Sequence, residues 1–362
     1  MKFIHTADLH LDSPAVTLAE IPNATSARRI EQRMVMKEMV EYIIKNNIPY
    51  FFICGDLYEQ EYIRQSTIEY INGLFKMIPD TKIFIIPGNH DPYINNSFYK
   101  TFKWSSNVHI FTSKLEKVEC DNVDIYGYGF NDFYMNNNYP QIEVQNVDKI
   151  NILLTHGDLD ASENEVRKYN PMSSRILKDS EFDYIGLGHI HKKSFEDYEG
   201  QKIVYPGSPI SMGFDELGER GFIVGNIDDE SKKLSLEFVK TSAKTFEEYY
   251  LDMTNANLEE DLVQMINNIK FDNNKYYKII LTGKHNFEVD TKKILALLNL
   301  QNIIKIKDES KMSYDISEIA KQVSLKGILA KNILNKLKMV NTDEEKEELL
   351  QAFEVGMDAF NK

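Results

Sequence analysis

The chain has 362 residues, of which 42% are hydrophobic and 27% are charged, and this composition is typical of a globular protein with two or three domains. A net charge of -14 argues against nucleic-acid binding over a broad basic surface, but it does not exclude a nuclease, because acidic side chains also bind divalent cations. The chain starts without a signal-peptide pattern and has no apolar run of the roughly 20 residues that span a bilayer, so we expect a cytoplasmic protein without membrane contact.

The first predicted strand, residues 2–7, ends at two polar residues, Asp8 and His10. In an extended segment, residues i and i+2 point to the same side, so both side chains can reach one point. A solvated loop at the end of the strand would explain the same pair. The pair alone therefore leaves a binding site and a plain loop as alternatives.

Helices and strands alternate along the next part of the chain. Helices are predicted at residues 26–46 and 66–77, and strands at residues 48–54 and 82–86. This alternation is typical of a mainly parallel sheet, whose ligand sites lie beyond the carboxyl ends of the strands. We therefore expect the polar residues that follow each strand to meet at one edge of the sheet.

Both of these strands are followed by polar residues. The first leads to Asp56, and the second leads to a turn that contains Asn89, His90 and Asp91. Pro-Gly-Asn is an ordinary turn signal, but an amide, an imidazole and a carboxylate side by side also suit a metal site.

A second sheet with more antiparallel character is predicted after residue 107, and its strands end in histidines. His156 follows the strand at residues 149–155, and His189 and His191 follow the strand at residues 184–188. The last pair again has the i, i+2 spacing that places both side chains on one side.

The chain after residue 240 contains no such cluster. Residues 241–312 have the pattern of a small α+β unit, and residues 313–362 that of amphipathic helices. The apolar stripe of these helices either packs on its own domain or forms a docking surface for a partner, and the sequence leaves both open.

Eight residues at predicted strand ends form one candidate site: Asp8, His10, Asp56, Asn89, His90, His156, His189 and His191. Carboxylate, imidazole and amide ligands suit manganese, iron or zinc, and a shared carboxylate can bridge two cations. The set contains no thiolate, which argues against a structural zinc site.

The motifs Asp-x-His, Gly-Asp, Gly-Asn-His-Asp, His-Gly and Gly-His-x-His occur in the order typical of the metallophosphoesterase, or calcineurin-like phosphoesterase, superfamily, which residues 1 to about 240 resemble. Within it, residues 5–14, 187–192, 205–209 and 218–221 resemble the DNA-repair exonuclease branch of the SbcD and YhaO type. Glu59 is a departure, because many relatives have Asp at this place. Asp91 follows Asn-His where protein phosphatases of the superfamily typically have Glu, which argues against that activity.

The resemblance implies a role for each residue of the site. One divalent cation would be held by Asp8, His10 and His191. The other would be held by Asn89, His156 and His189, with Asp56 as the bridge. His90 would be the catalytic histidine, and Asp91 is the neighbour expected to orient it. Manganese is the expected metal of both sites, with iron, zinc and magnesium as alternatives.

The resemblance also implies a fold and a set of partners. The fold is an α/β four-layer αββα sandwich over residues 1–240, followed by an α+β capping domain at 241–312 and C-terminal helices at 313–362. The expected activity is that of a two-metal phosphodiesterase, acting on DNA as an exonuclease or endonuclease subunit of a repair complex. The terminal helices would dock an SMC-like coiled-coil ATPase, and a homodimer is expected because relatives of this branch dimerise.

Two other functions fit the same ligands. A nucleotide or cyclic-nucleotide phosphoesterase would share all of them, and a non-catalytic scaffold subunit could keep a metal for stability. The additional α+β unit and helices favour the nuclease over the first alternative, and the intact His90 argues against the second.

Overall fold

The computed structural model describes residues 1–19, 24–135, 142–161, 168–194, 202–298 and 300–360. The chain divides into two compact units, Met1–Phe246 and Glu247–Lys362. The finer predicted division into residues 1–240, 241–312 and 313–362 stays a prediction.

The first unit alternates strands and helices through its first part and is richer in strands afterwards. Its elements are β1 (Lys2–Thr6), a 3-10 turn (Val16–Leu18), α1 (Ala24–Asn46), β2 (Tyr50–Cys54), α2 (Gln65–Lys76), β3 (Lys82–Ile86), α3 (Phe98–Thr101), β4 (Val108–Ile110), β5 (Glu116–Cys120), β6 (Val123–Gly127), β7 (Ile150–His156), α4 (Ser174–Asp179), β8 (Tyr184–Gly188), β9 (Ile203–Val204), β10 (Gly221–Ile227) and β11 (Leu234–Lys240). The predicted alternation through β3 is confirmed.

The first sheet has six strands in the order β11-β10-β1-β2-β3-β4. Strands β1 to β4 run parallel, β10 pairs antiparallel with β1, and β11 pairs antiparallel with β10. Successive residues of a strand point to opposite faces of the sheet. Ile4 and Phe51 therefore pack in the core that α1 and α2 cover, whereas Phe3 and Phe52 pack on the other face, against the second sheet.

The second sheet has five strands in the order β5-β6-β7-β8-β9, of which only β5 pairs antiparallel. The expected antiparallel character is thus wrong for most of this sheet. Ile125 and Ile152 face the first sheet, while Leu153 and Leu187 face the opposite way and pack with Leu177 of α4. The layers are helix, sheet, sheet and helix, which confirms the predicted four-layer α/β sandwich.

The second unit contains two smaller cores. Its elements are β12 (Thr245–Asp252, which spans the boundary), α5 (Glu259–Asn267), β13 (Lys275–Thr282), β14 (Lys284–His285), α6 (Thr291–Leu297), β15 (Ile303–Asp308), β16 (Lys311–Met312), α7 (Ile316–Ile319), α8 (Leu325–Leu337) and α9 (Asp343–Phe360). One core lies between the β12-β13-β15 sheet and helices α5 and α6, and includes Leu262 and Ile294. The other lies among the last three helices and includes Ile333 and Phe353.

The terminal helices bury only part of their apolar surface within this unit. Ile333 is buried between α8 and α9, but Leu325, Ile328 and Val355 are exposed. Within the described residues of this unit, 247–298 and 300–360, no group of potential metal ligands converges. Among all described residues, none of the helices is long and apolar enough to cross a membrane.

Candidate metal centre

The eight predicted site residues meet at one edge of the sandwich in the first unit. The first sheet supplies five of them, in the loops after β1, β2 and β3: Asp8, His10, Asp56, Asn89 and His90. The second sheet supplies three, at the ends of β7 and β8: His156, His189 and His191. The carboxyl ends of parallel strands from both sheets therefore build the centre, because all of these strands end at the same edge.

The backbone at this edge adopts conformations that are unfavourable for residues with a side chain. Asp8, His10 and Asp56 have φ values of 56°, 45° and 52°, and φ of His189 is 106°. Such conformations cost about 1–3 kcal/mol each and persist only where the surrounding structure enforces them. The fold thus holds these side chains in place against the local preference of the chain.

Two glycines allow the loops to come close together. A Cβ atom at Gly88 would lie 2.2 Å from Oδ1 of Asp56. Gly55 has a φ of +87°, and a Cβ atom there would lie 2.1 Å from Nδ1 of His156. Any larger residue would push the neighbouring side chain away, which is the physical reason why glycine precedes both Asp56 and Asn89.

On one side of the centre, carboxylates orient two imidazoles. Nδ1 of His191 lies 2.5 Å from Oε1 of Glu216, and Nδ1 of His10 lies 3.5 Å from Oε2 of Glu59. With Nδ1 directed outward in both rings, the two Nε2 atoms lie 3.1 Å from each other. Two nitrogen lone pairs repel at this distance unless a proton or a cation lies between them, so the pair fits a cation site.

On the other side, a backbone carbonyl orients His156. Its Nδ1 lies 2.8 Å from the carbonyl oxygen of Cys54, so this nitrogen donates a proton and Nε2 is the inward atom. Nε2 lies 3.3 Å from Oδ2 of Asp56 and 3.0 Å from Oδ1 of Asn89. Carboxylate oxygen, amide oxygen and imidazole nitrogen all offer lone pairs to the same point, which is the donor set of a divalent cation site.

His189 lies beside this group and has partners on both ring nitrogens. Its Nδ1 is 3.1 Å from Oδ1 of Asn89, and its Nε2 is 3.3 Å from Oδ1 of Asp158. The ring of Tyr169 packs on it with the centroids 4.9 Å apart. The backbone N–H of His189 donates to both carboxylate oxygens of Asp8, at 3.0 and 3.2 Å, and so links the two sheets.

Asp56 lies between the two sides. Its Oδ2 atom is 3.7 Å from Nε2 of His10 and 3.3 Å from Nε2 of His156. Among the residues that the structure describes, three groups of potential ligands converge within 4.8 Å: Asp8, His10 and His191; His10, Asp56 and His90; and Asp56, His156 and His189. Asp56 and His10 each belong to two of these groups, and of the two only the carboxylate of Asp56 has two oxygen atoms with which to bridge two cations. The residues therefore fit two divalent cations, while the role of each ligand stays a prediction.

Opposite charges dominate the electrostatics of the centre. Burial by itself would raise the pKa of the Asp56 carboxyl, but His156, His10 and His90 outweigh burial and hold this pKa well below its usual range. Burial lowers the pKa of His156, yet Asp56 outweighs that effect and raises it to about 9. The ring is therefore protonated at neutral pH when no metal is bound, and a divalent cation would replace that proton as the counter-charge of the carboxylate.

His90 lies on the exposed side of the centre. Its Nδ1 is 3.0 Å from each carboxylate oxygen of Glu59, and its backbone N–H donates to Oδ1 of Asp56 at 2.8 Å. Burial lowers the pKa of His90, but Glu59 and Asp56 outweigh it and raise the pKa to about 9. Glu59 thus holds His90, the expected catalytic histidine, next to the carboxylate of Asp56.

The expectation that Asp91 orients His90 is wrong. The Asp91 carboxylate is fully buried and accepts hydrogen bonds from the backbone N–H groups of Gly88, Asp56 and Leu57 and from the hydroxyl of Tyr99. Sequence adjacency suggested the wrong partner, because consecutive side chains at this turn point in different directions. Asp91 instead fastens the loop after β2 to the loop after β3, so that Asp56 and Asn89 are held together.

Three acidic residues that orient imidazoles were missed in the sequence: Glu59, Asp158 and Glu216. Glu59 stood out only as a departure from the family pattern, and its contact with two rings could not be read from spacing. Glu216 follows residues 205–209, which resemble the exonuclease branch, but lies outside that segment. Asp158 directly follows His156-Gly157, but its contact is with His189.

Comparison with known proteins gives three findings. The model of the family described as calcineurin-like phosphoesterase matches residues 1–193. An uncharacterized metallophosphoesterase of Bacillus subtilis (strain 168), YhaO, is 26% identical to this chain over 276 residues. The match covers 74% of this chain and 66% of YhaO, so the chain spans slightly less than two thirds of that relative's length. The crystal structure of TT1561 of Thermus thermophilus matches 66% of this chain and 98% of that chain with a TM-score of 0.37 and 9% sequence identity.

Proposed function

Because the chain belongs to the calcineurin-like phosphoesterase family and is therefore a metal-dependent phosphoester hydrolase, we propose that it cleaves phosphodiester bonds of DNA. The observation that carries the proposal is the partly exposed His90, which converges with Asp56 and His10 and lies beside the group of Asp56, His156 and His189. A scaffold that keeps a metal for stability alone has no need of a partly exposed, carboxylate-bound imidazole next to its ligands.

Each group of residues has a defined task in the proposed reaction. Two divalent cations, when bound, activate the attacking water and neutralise the phosphate oxygens. By the resemblance, one would be held by Asp8, His10 and His191. The other would be held by Asn89, His156 and His189, with Asp56 between the two. The Asp91 carboxylate accepts hydrogen bonds from the backbone N–H groups of Asp56 and Gly88, and so keeps the loops of Asp56 and Asn89 from moving apart.

His90 would supply the proton of the reaction. When the bond between phosphorus and the leaving oxygen breaks, that oxygen needs a proton, and the imidazolium of His90 can donate it. The neighbouring carboxylates keep the ring protonated, since they raise the pKa of His90 to about 9.

DNA is proposed as the substrate, and manganese as the metal, because the segments at residues 5–14, 187–192 and 205–209 are similar to the DNA-repair exonuclease branch. A coiled-coil ATPase is proposed as partner at the terminal helices, where Leu325, Ile328 and Val355 are exposed. Leu325 and Ile328 are three positions apart on α8, and apolar side chains exposed at this spacing are typical of a protein contact. The proposal places this complex in the cytoplasm and includes a homodimer.

The test is manganese-dependent degradation of linear DNA by the wild type and by His90→Ala, with and without the coiled-coil ATPase encoded by a neighbouring gene. We expect His90→Ala to lose about 100-fold or more of the rate, because removal of a general acid has that effect, while its metal content stays unchanged. His109→Ala is a matched control, since His109 is a similarly exposed histidine that pairs with Glu116 outside the centre.

Two results would overturn the proposal. Absence of DNA cleavage with manganese, iron, zinc and magnesium, with and without the ATPase, would exclude the nuclease activity. Rapid hydrolysis of nucleotide phosphodiesters by a protein that ignores DNA would assign the same centre to small substrates.

A further inference from the structure

One amide side chain, that of Gln32, is buried on the side of α1 that packs on the first sheet. The residue is 1% exposed, and the next residues on the same side of the helix, Val35, Met36 and Met39, belong to the hydrophobic core. Burial of an amide among apolar side chains is unfavourable unless its donors and its acceptor are bonded. A glutamine at this place therefore requires specific partners.

The partners of Gln32 all lie in the loop after β1, which carries the predicted ligand His10. Nε2 of Gln32 donates to the carbonyl of His10 at 3.0 Å and to Oγ of Ser13 at 3.2 Å. Oε1 accepts from the backbone N–H of Asp12 at 3.2 Å. Because a carbonyl only accepts and an N–H only donates, the loop itself fixes which end of the amide faces which residue.

The backbone of this loop needs such support, because three of its residues have a positive φ. The values are 56° at Asp8, 45° at His10 and 65° at Asp12. A residue with a side chain keeps this conformation only where the surrounding structure enforces it. Gln32 bonds the backbone of two of the three, His10 and Asp12. The amide thus stabilises the loop at the residue whose ring enters the centre.

A second set of contacts fastens the same loop to α2. Oδ2 of Asp12 accepts from the backbone N–H of Arg64 at 3.0 Å and from the hydroxyl of Thr67 at 2.6 Å. These bonds hold Asp12 from the side of α2, while Gln32 holds Asp12 and His10 from the side of α1. The loop is therefore fixed between the two helices that cover the first sheet.

The position of the His10 backbone determines where its ring lies. Nε2 of His10 is 3.1 Å from Nε2 of His191 and 3.7 Å from Oδ2 of Asp56. Distances between a metal ion and its ligands are fixed to within about 0.2 Å. Even a small displacement of the loop would therefore weaken a cation site to which His10 contributes.

We propose that Gln32 is a positioning residue, which holds the loop after β1 so that His10 can bind a cation. Gln32 contacts only the loop and acts through the backbone of His10. The inference rests on the predicted role of His10 as a metal ligand, which is part of the proposed function, but it does not depend on the substrate. Loss of Gln32 should weaken the cation site that includes His10 and leave the other site unchanged.

The first experiment measures metal binding and needs no substrate. Mn²⁺ is titrated by calorimetry into the metal-free wild type, Gln32→Ala and Asn72→Ala. Asn72 is the matched control, because it is a buried amide on α2 that accepts from the backbone N–H of Ser105 at 2.8 Å, outside the centre. We expect Gln32→Ala to weaken one site about 10-fold, the lower end of the effect of an outer partner of a metal ligand.

The control separates positioning from a general loss of stability. Thermal unfolding should show that both alanine variants are less stable than the wild type, since each loses buried hydrogen bonds. Asn72→Ala should nevertheless bind both Mn²⁺ ions with the affinities of the wild type.

A second variant separates the hydrogen bonds of Gln32 from its volume. Gln32→Met keeps an unbranched side chain of similar length but offers no N–H donor. It should weaken the same site as much as Gln32→Ala does, and it takes the place of the alanine variant if that variant does not fold. Mn²⁺ affinities of Gln32→Met equal to those of the wild type would show that only the volume matters.

A third comparison asks whether Gln32 acts through His10. Gln32→Ala is combined with His10→Ala, and the Mn²⁺ titration is repeated for both single variants and the double variant. Two residues that act through one contact are not additive. The substitution at Gln32 should therefore cause no further loss of affinity once His10 is absent.

The outcomes separate this inference from the proposed function. Unchanged Mn²⁺ affinity in Gln32→Ala, an equal loss in Asn72→Ala, or an equal loss without His10 would each overturn the positioning role. If the wild type binds Mn²⁺ but cleaves no DNA, the proposed function fails, while the titrations still decide the role of Gln32. If the wild type binds no Mn²⁺, the ligand role of His10 fails, and this inference fails with it.

Discussion

His5 and His156 are both fully buried in the same sandwich, yet their pKa values are shifted in opposite directions. Burial lowers the pKa of His5 to about 3, and its Nδ1 is bound to the hydroxyl of Tyr184 at 2.7 Å. The pKa of His156 is instead raised to about 9, because the carboxylate of Asp56 lies 3.3 Å from Nε2 and outweighs the effect of burial.

The difference separates the interior of the sandwich from its edge. Between the sheets the imidazole of His5 is neutral. Its Nδ1 is bound to the hydroxyl of Tyr184, and no described side chain forms a hydrogen bond with its Nε2. At the edge, carboxylates accompany the imidazoles and hold a charge that a cation can replace. Acidic neighbours, and not burial, therefore distinguish the histidines of the metal centre from the histidine of the core. Substitution of single residues in the centre and in the core tests this difference.

The largest effect is expected from Asp56→Asn, which removes the carboxylate beside His156 while keeping its shape. Binding of both cations should weaken by more than the roughly 100-fold that loss of an outer partner costs, because the residue contacts both sides of the centre. Calorimetric titration with Mn²⁺ measures this. Retention of one site at full affinity would show that Asp56 does not bridge.

A smaller effect is expected from Glu216→Gln, which weakens the acidic partner of His191 without touching the inward nitrogens. The carboxylate is 2.5 Å from Nδ1 and raises the pKa of His191 against the effect of burial. Mn²⁺ affinity at one site should fall about 10- to 100-fold. Glu219→Gln is the control, since Glu219 is exposed and pairs with Lys240. Equal titration curves for the two variants would contradict the role of Glu216.

The smallest effect is expected from His5→Gln, which removes an imidazole that has no acidic partner. The pKa of His5 is about 3 in the folded chain against an ordinary value of 6.5, so the unfolded chain binds more protons between these values. Its contribution to stability is complete above pH 6.5 and is lost as the pH falls toward 3. At pH 5 the loss is about 2 kcal/mol.

Urea unfolding of the metal-free proteins at pH 7 and pH 5 measures this contribution. The wild type should lose about 2 kcal/mol more than His5→Gln between the two values. The histidines of the centre are present in both proteins and cancel in the difference. Identical pH dependence of the two proteins would show that His5 is not held neutral by burial.

Much of this site was predictable because its signals are local. The spacing of Asp8 and His10 and the placement of Asn89 after a strand depend on strand periodicity and on where strands end. The four layers followed from the same alternation together with the resemblance. The parallel direction of most of the second sheet was missed, because short strands separated by turns look alike whether they pair in parallel or antiparallel.

The partners of the imidazoles were not predictable in this way. Glu216 contacts His191 across 25 positions of sequence, and Asp91 bonds the backbone of Asp56 across 35. Such pairs depend on how loops from different strands pack, and their sequence separation follows no period. The adjacency of Asp91 and His90 suggested a contact that the turn does not allow.

The sequence by itself determined which residues are candidate ligands and that they end neighbouring strands, because periodicity and motif order are properties of the chain. Only the tertiary structure decided which nitrogen of each ring faces the centre, that one glutamate reaches two of the rings, and that His5 is neutral while His156 is charged. These properties depend on distances of a few ångströms between loops far apart in sequence, and hydrogen bonding and electrostatic energy vary steeply over such distances.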